Sequence, residues 1–121
     1  ERRVRERLIQ IAAEGRKFGL WLLLSTQRPS KIHVNVLSQC DNLALMKMTS
    51  SRDLAELGRL FGFAPTALLE QSPDFEQGEV LFAGGFTPAP LLTRMRSRLT
   101  VEGGADVPIP LRVREPELLH G

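Results

Sequence analysis

The chain has 121 residues, 42% of them hydrophobic and 25% charged, the balance of an ordinary globular protein large enough for one core and too small for two. Its net charge of +2 is only mildly basic, and its longest apolar run, residues 20–24, is far short of the roughly 20 residues that span a membrane. The single cysteine, Cys40, excludes an internal disulfide and fits a reducing, cytoplasmic setting.

The charges are unevenly spread. Arg2, Arg3, Arg5, Arg7, Arg16 and Lys17 stand against Glu1, Glu6 and Glu14 in the first twenty residues, whereas residues 70–79 hold Glu70, Asp74, Glu76 and Glu79 and no base. Such asymmetry suits nucleic acid or another anionic ligand, and equally a solvated surface.

The first element is an amphipathic helix. Val4, Leu8, Ile11, Ala12 and Gly15 recur at helical spacing, and Gly15 and Gly19 end the pattern. No capping residue precedes it, so the expectation is that the natural chain extends before Glu1. The run Leu20-Trp21-Leu22-Leu23-Leu24-Ser25-Thr26 reads as a strand buried on both faces, as in a parallel sheet. Gln27-Arg28-Pro29-Ser30 leaves it as a loop, and residues 34–39 form a short helical turn.

Residues 43–48 are a second apolar strand. Thr49-Ser50-Ser51-Arg52-Asp53 then starts a helix with a hydroxyl cap and a carboxylate in the first turn. Leu54, Leu57 and Phe61 carry it forward and Gly62 closes it; Pro65 opens a further short helix to Glu70. After a polar loop over 71–77, residues 79–83 and 90–95 form a β-hairpin around Gly84-Gly85-Phe86-Thr87-Pro88. Residues 100–121, with Gly103-Gly104 and three prolines, read as an extended tail after a body at 1–99. This order describes the trailing half of an α/β sheet.

Several chemistries are missing from the sequence. It has no Gly-x-x-x-x-Gly-Lys-Ser/Thr phosphate loop, no Asp-Glu pair after an apolar strand, and no cysteine or histidine set at metal spacing, since His33, Cys40 and His120 stand apart. No catalytic set is complete within the chain.

The most distinctive stretch is Glu14-Gly15-Arg16-Lys17-Phe18-Gly19, followed by the apolar run and Ser25-Thr26-Gln27-Arg28-Pro29-Ser30. It resembles a signature of the HerA/FtsK superfamily of P-loop ATPases, in which a helix and turn lead into an apolar strand ending in Thr/Ser-Gln-Arg-Pro-Ser. Val36-Leu37-Ser38-Gln39-Cys40-Asp41-Asn42, the helix start at 49–54, and Glu102-Gly103-Gly104-Ala105-Asp106 resemble the HerA branch. The resemblance covers residues 8–107. It implies the C-terminal part of a RecA-like core, carried by a cytoplasmic, hexameric motor that uses ATP and Mg2+ to move double-stranded DNA, with a nuclease as a possible partner in DNA-end processing. A conjugation or secretion ATPase of the same superfamily is an alternative, as is a non-catalytic α/β assembly module.

The resemblance assigns Gln27 as a sensor between the nucleotide and the DNA-contacting elements. A neutral amide just beyond a strand's carboxyl end can orient a water and read the terminal phosphate. A loop glutamine bonding nearby backbone is the alternative. Arg16 falls where the superfamily places an arginine reaching a neighbouring subunit's nucleotide, and where any helix-end arginine is favoured by the helix dipole. Lys17, Arg28 and Lys47 are further candidates for nucleotide or interface contact. Arg28, ahead of Pro29, is held extended and leans to a structural role. Lys47 stands where HerA relatives commonly have arginine; it keeps the charge and loses the planar fork. Arg94, Arg96 and Arg98 share one face if this segment is a strand, where a solvated face or pairing with the acids of 70–79 is favoured over contact with DNA phosphate.

With no phosphate loop in its sequence, the 121-residue chain by itself should show no ATP turnover above background in a phosphate-release assay. Measurable turnover would place a nucleotide site within it.

Overall fold

In the computed structural model, which describes residues 1–101 and 103, the first helix α1 runs Arg2–Glu14 and is followed at once by a 3₁₀ turn, Gly15–Phe18. The reversal depends on two glycines. The Leu20 N–H donates to the Gly15 carbonyl at 2.9 Å, and a side chain on Gly15 would come within 3.1 Å of Leu20 Cβ. Gly19 closes the turn at φ 71°, a left-handed backbone that glycine adopts without steric cost.

Residues 20–26 are extended but join no ladder among the described residues. The expected strand of a parallel sheet is therefore not seen among the described residues. Leu22 and Leu24 are half-buried and Leu24 packs against the core, while Trp21 is 84% and Leu23 94% exposed. The core offers a surface to one face of the run only. Alternation along an extended chain then turns every second side chain outward.

The sheet is built instead from β1 (Asn42–Leu45), β2 (Glu79–Gly84) and β3 (Leu91–Arg94), in that order and antiparallel throughout. The fold is α/β, with no parallel strand pair among the described residues. Leu45 faces Leu81 and Leu43 faces Ala83 in the β1–β2 register. β2 is the central strand, with Val80, Leu81 and Ala83 at 0% exposure. Gly84 has φ 112°, and a Cβ there would lie 2.3 Å from the Asp41 carbonyl. The Asn42 side chain accepts from the Phe86 N–H at 2.9 Å, tying the hairpin loop to the start of β1.

Against one face of this sheet lie α3 (Ser51–Leu60) and α4 (Thr66–Leu69), whose Leu57 and Leu69 meet Leu45, Phe75 and Leu81 in the core. α2 (Val34–Leu37) adds Leu37 and lies against α1. Two helix boundaries differ from the sequence reading. α3 closes on Phe61, buried and with a non-helical backbone, and Gly62 adopts no positive φ. Pro65 caps α4 from outside its first turn.

The second predicted strand is shorter than residues 43–48. Its ladder stops at Leu45, and the fully buried Ser72 hydroxyl takes over. That hydroxyl donates to the Met46 carbonyl at 2.9 Å and accepts from the Met48 N–H at 2.8 Å. One side chain thus satisfies two backbone groups that would lack partners where the ladder ends. Ser72 lies in a 3₁₀ turn, Ser72–Asp74, within the stretch read as a polar loop. The expected tail and the Glu102–Asp106 resemblance fall largely on residue 102 and residues 104–121, outside the described residues. No helix among the described residues is long and apolar enough to cross a membrane.

Replacing Ser72 by alanine orphans both backbone groups and should cost about 1–3 kcal/mol in urea unfolding. A change below about 0.5 kcal/mol would mean that the hydroxyl is not their essential partner.

Candidate functional site

Residues 26–30 form a tight loop at the end of the extended run. The Arg28 N–H donates to Thr26 Oγ1 at 3.0 Å. Arg28 has φ −137°, ψ 77°, outside the helical region that a following proline disfavours and short of the fully extended backbone expected from the sequence. Pro29 is buried and begins the 3₁₀ turn Pro29–Lys31. The Ser30 N–H donates to Asp53 Oδ1 at 2.9 Å, joining the loop to the first turn of α3. These bonds leave Gln27 at the bend, exposed and with no side-chain hydrogen bond among the described residues.

Asp53 is 3% exposed, yet its carboxyl is held down at about 2. Hydrogen bonds from the Ser30 side chain and backbone contribute most, then one with Ser50, then the nearby Arg28 charge; burial opposes them. Asp53 also belongs to the α3 cap, because its N–H donates to Ser50 Oγ at 3.2 Å. A carboxylate in a helix's first turn is further favoured by the helix dipole. The same burial that would favour a neutral acid thus surrounds it with donors.

Arg16 and Lys17 are exposed on the 3₁₀ turn that precedes the extended run; Gln27 and Arg28 follow its other end. Lys47 stands apart. It is exposed between Met46 and Met48, whose backbones Ser72 holds. It lines a shallow cavity of about 500 Å³ together with Asp74, Glu76 and Glu79. Arg16, Lys17, Gln27 and Arg28 do not line that cavity. Arg94 is ion-paired with Glu76 and lies 3.6 Å from Glu79, so the favoured pairing with the acidic stretch holds for this residue. β3 ends at Arg94, and Arg96 and Arg98 lie beyond it, so the three do not share a strand face. The described residues contain no cluster of three or more His, Cys, Asp or Glu able to hold a metal ion.

This chain is 32% identical over 97 residues to a probable helicase of Methanocaldococcus jannaschii, covering 80% of the chain and 19% of that protein. It is 31% identical over 100 residues to the probable DNA double-strand break repair helicase HerA of the same organism, covering 83% and 20%. With the DNA double-strand break repair helicase HerA of Pyrococcus furiosus it shares 29% over 96 residues, covering 79% and 17%. The chain resembles part of a HerA-type helicase. No protein-family model matches it. It spans about a fifth of the length of these curated relatives.

Within this HerA-like chain, sequence reasoning located the loop and missed what holds it. Asp53 was legible as a helix-start carboxylate; nothing local shows that it reaches back to Ser30. Ser72, in a Ser-Pro turn, carried no signal of its bond to residues 46–48.

Because its folded value lies below the ordinary 3.8, ionised Asp53 stabilises the fold above about pH 4, and this contribution is lost as pH falls through about 2. The stability gap between the wild type and Asp53→Ala should therefore narrow over that window in pH-dependent unfolding. A gap unchanged from pH 7 to below 2 would show that the carboxylate charge is not responsible.

Proposed function

We propose that this chain forms part of the RecA-like ATPase core of a HerA-type motor that moves double-stranded DNA. The observation that carries the reading is the loop at 26–30, which presents an unengaged Gln27 just past an extended apolar run. The sequence resemblance to helicases over four-fifths of the chain supports it. In this reading residues 20–26 are a strand of a larger parallel sheet. Trp21 and Leu23, uncovered here, then pack on a layer of the rest of the protein, as strands of a parallel sheet require. Residues 1–99 belong to that core with its terminal hairpin, and residues 100–121 are a C-terminal tail.

The sequence of this chain carries no phosphate loop. Gripping of the phosphates is therefore assigned to the remainder of the full-length protein. ATP supplies the phosphoryl group there and Mg2+ balances its charge. This chain contributes Gln27, whose amide can orient a water or report the terminal phosphate without adding charge. Arg16 is the candidate arginine acting across a subunit boundary in a homo-hexamer, where a guanidinium suits developing phosphoryl charge. Lys17, exposed beside it, can contact phosphate as a point charge. Arg28 serves the loop's electrostatics through Asp53 as well as any interface. Lys47 faces carboxylates in its cavity, an environment that favours an interface role over phosphate contact. The motor works in the cytoplasm on double-stranded DNA, with a nuclease as partner in DNA-end processing.

In the full-length protein, Gln27→Ala should keep nucleotide binding and lose roughly tenfold or more of the DNA-stimulated hydrolysis, read as kcat with and without duplex DNA. Undiminished stimulation would remove Gln27 from the coupling role.

A further inference from the structure

The 3₁₀ turn Pro29–Lys31 has an unusual cap. Residues at the start of a helical turn carry N–H groups with no partner inside the turn, and a local Ser, Thr, Asp or Asn ordinarily accepts from them. Here the cap position is Arg28, which makes no side-chain cap bond and has no acceptor to offer. Pro29 has no N–H. The first donor is therefore Ser30, and its partner is Asp53, 23 residues away on α3. α3 lies against this turn.

Asp53 is itself fixed. It is buried and sits in the first turn of a ten-residue helix whose cap, Ser50, accepts its N–H. A charged acceptor makes a stronger bond than a neutral one, by roughly twofold. The loop between Thr26 and Ser30 is thus closed at both ends, by Thr26 Oγ1 on the Arg28 N–H at 3.0 Å and by Asp53 on the Ser30 N–H at 2.9 Å. Gln27 is the one side chain between these two ties, Arg28 apart, that is left to face outward.

We propose that Asp53 is a positioning residue for the Gln27 loop: its carboxylate, carried by α3, caps the Pro29–Lys31 turn and sets where Gln27 and Arg28 are presented. The proposal rests on the reading of Gln27 as the coupling residue, and it adds a second element to the site. A shift of α3 moves Asp53, and Asp53 moves the loop. α3 is thereby the part of this chain through which the rest of the core can be felt at Gln27.

Two readouts on the full-length protein test it. The first is hydrogen exchange of the peptide covering residues 27–32, measured without nucleotide. Exchange should be slowest in the wild type, faster in Asp53→Asn, whose amide oxygen still accepts but carries no charge, and faster by about tenfold or more in Asp53→Ala. The second is the DNA stimulation of ATP hydrolysis, which should fall in the same order with nucleotide Kd changed by less than about threefold. Combined with Gln27→Ala, Asp53→Ala should add no further loss, because both act through one loop. Leu60→Ala is the control for general weakening of α3: it removes core packing at the far end of the helix and leaves Asp53 with Ser30 and Ser50, so it should lower Tm without accelerating exchange at 27–32. If Asp53→Ala does not fold, the wild type and Asp53→Asn carry the comparison.

Exchange in Asp53→Asn as slow as in the wild type overturns the proposal. So does fast exchange in Asp53→Ala with intact stimulation where Gln27→Ala has lost it, or a loss that multiplies with that of Gln27→Ala. Failure of the underlying sensor reading looks different: Gln27→Ala then keeps its stimulation while exchange still follows the Asp53 series.

Discussion

The bond from the Ser30 N–H to the Asp53 carboxylate is a directional tie between two parts of the chain that otherwise meet through packing. On one side are α1, its glycine turn and the extended run at 20–26, which share no ladder with the sheet. On the other are the sheet, α3 and α4. Leu24 and Ile32 reach the core from the first part, but apolar contacts are not directional and would tolerate sliding. A hydrogen bond to a buried carboxylate does not: moving it strands a charge away from water and from its donors. That constraint fixes where the loop at 26–30 meets α3.

A similar economy appears at the end of β1. A strand that loses its ladder inside a protein must find other partners for its backbone. Here a single hydroxyl, Ser72, replaces the ladder for Met46 and Met48. Lys47, between them, is consequently carried on a braced backbone although its side chain is exposed. The acids around it, Asp74, Glu76 and Glu79, come from the segment that leads into β2. Two of them also engage Arg94 across the β2–β3 pair. The acidic stretch therefore borders both the end of β1 and the end of β3, pairing with Arg94 and sharing a cavity lining with Lys47.

Local signals served well wherever one segment satisfied itself. α1 followed its apolar spacing, Ser50 capped α3, and the hairpin turned at Gly84. They failed where the partner lay elsewhere. The apolar run at 20–26 is a strand by composition, but a strand is made by its neighbours, and none pairs with it among the described residues. Gly62 looked like a helix stop, yet α3 already ends at Leu60, where Phe61 leaves the helical backbone. The candidate site divides in the same way: Gln27 and Arg28 stood out by their motif, while Asp53 and Ser72 act over separations of 23 and 24 to 26 residues.

By itself the sequence determined the periodic elements, the α/β class and the resemblance to HerA-type helicases, because each is written in neighbouring residues: helical spacing, capping hydroxyls, glycine turns and the Thr26-Gln27-Arg28-Pro29-Ser30 string. Only the tertiary structure decided that the sheet is antiparallel, that Trp21 and Leu23 stand uncovered, and that a carboxylate on α3 caps the Gln27 loop. The physical reason is the range of the interactions. Backbone preference and periodicity act over a few residues and can be read along the chain. Pairing of strands and satisfaction of buried polar groups depend on which distant segments the folded core brings within hydrogen-bonding distance.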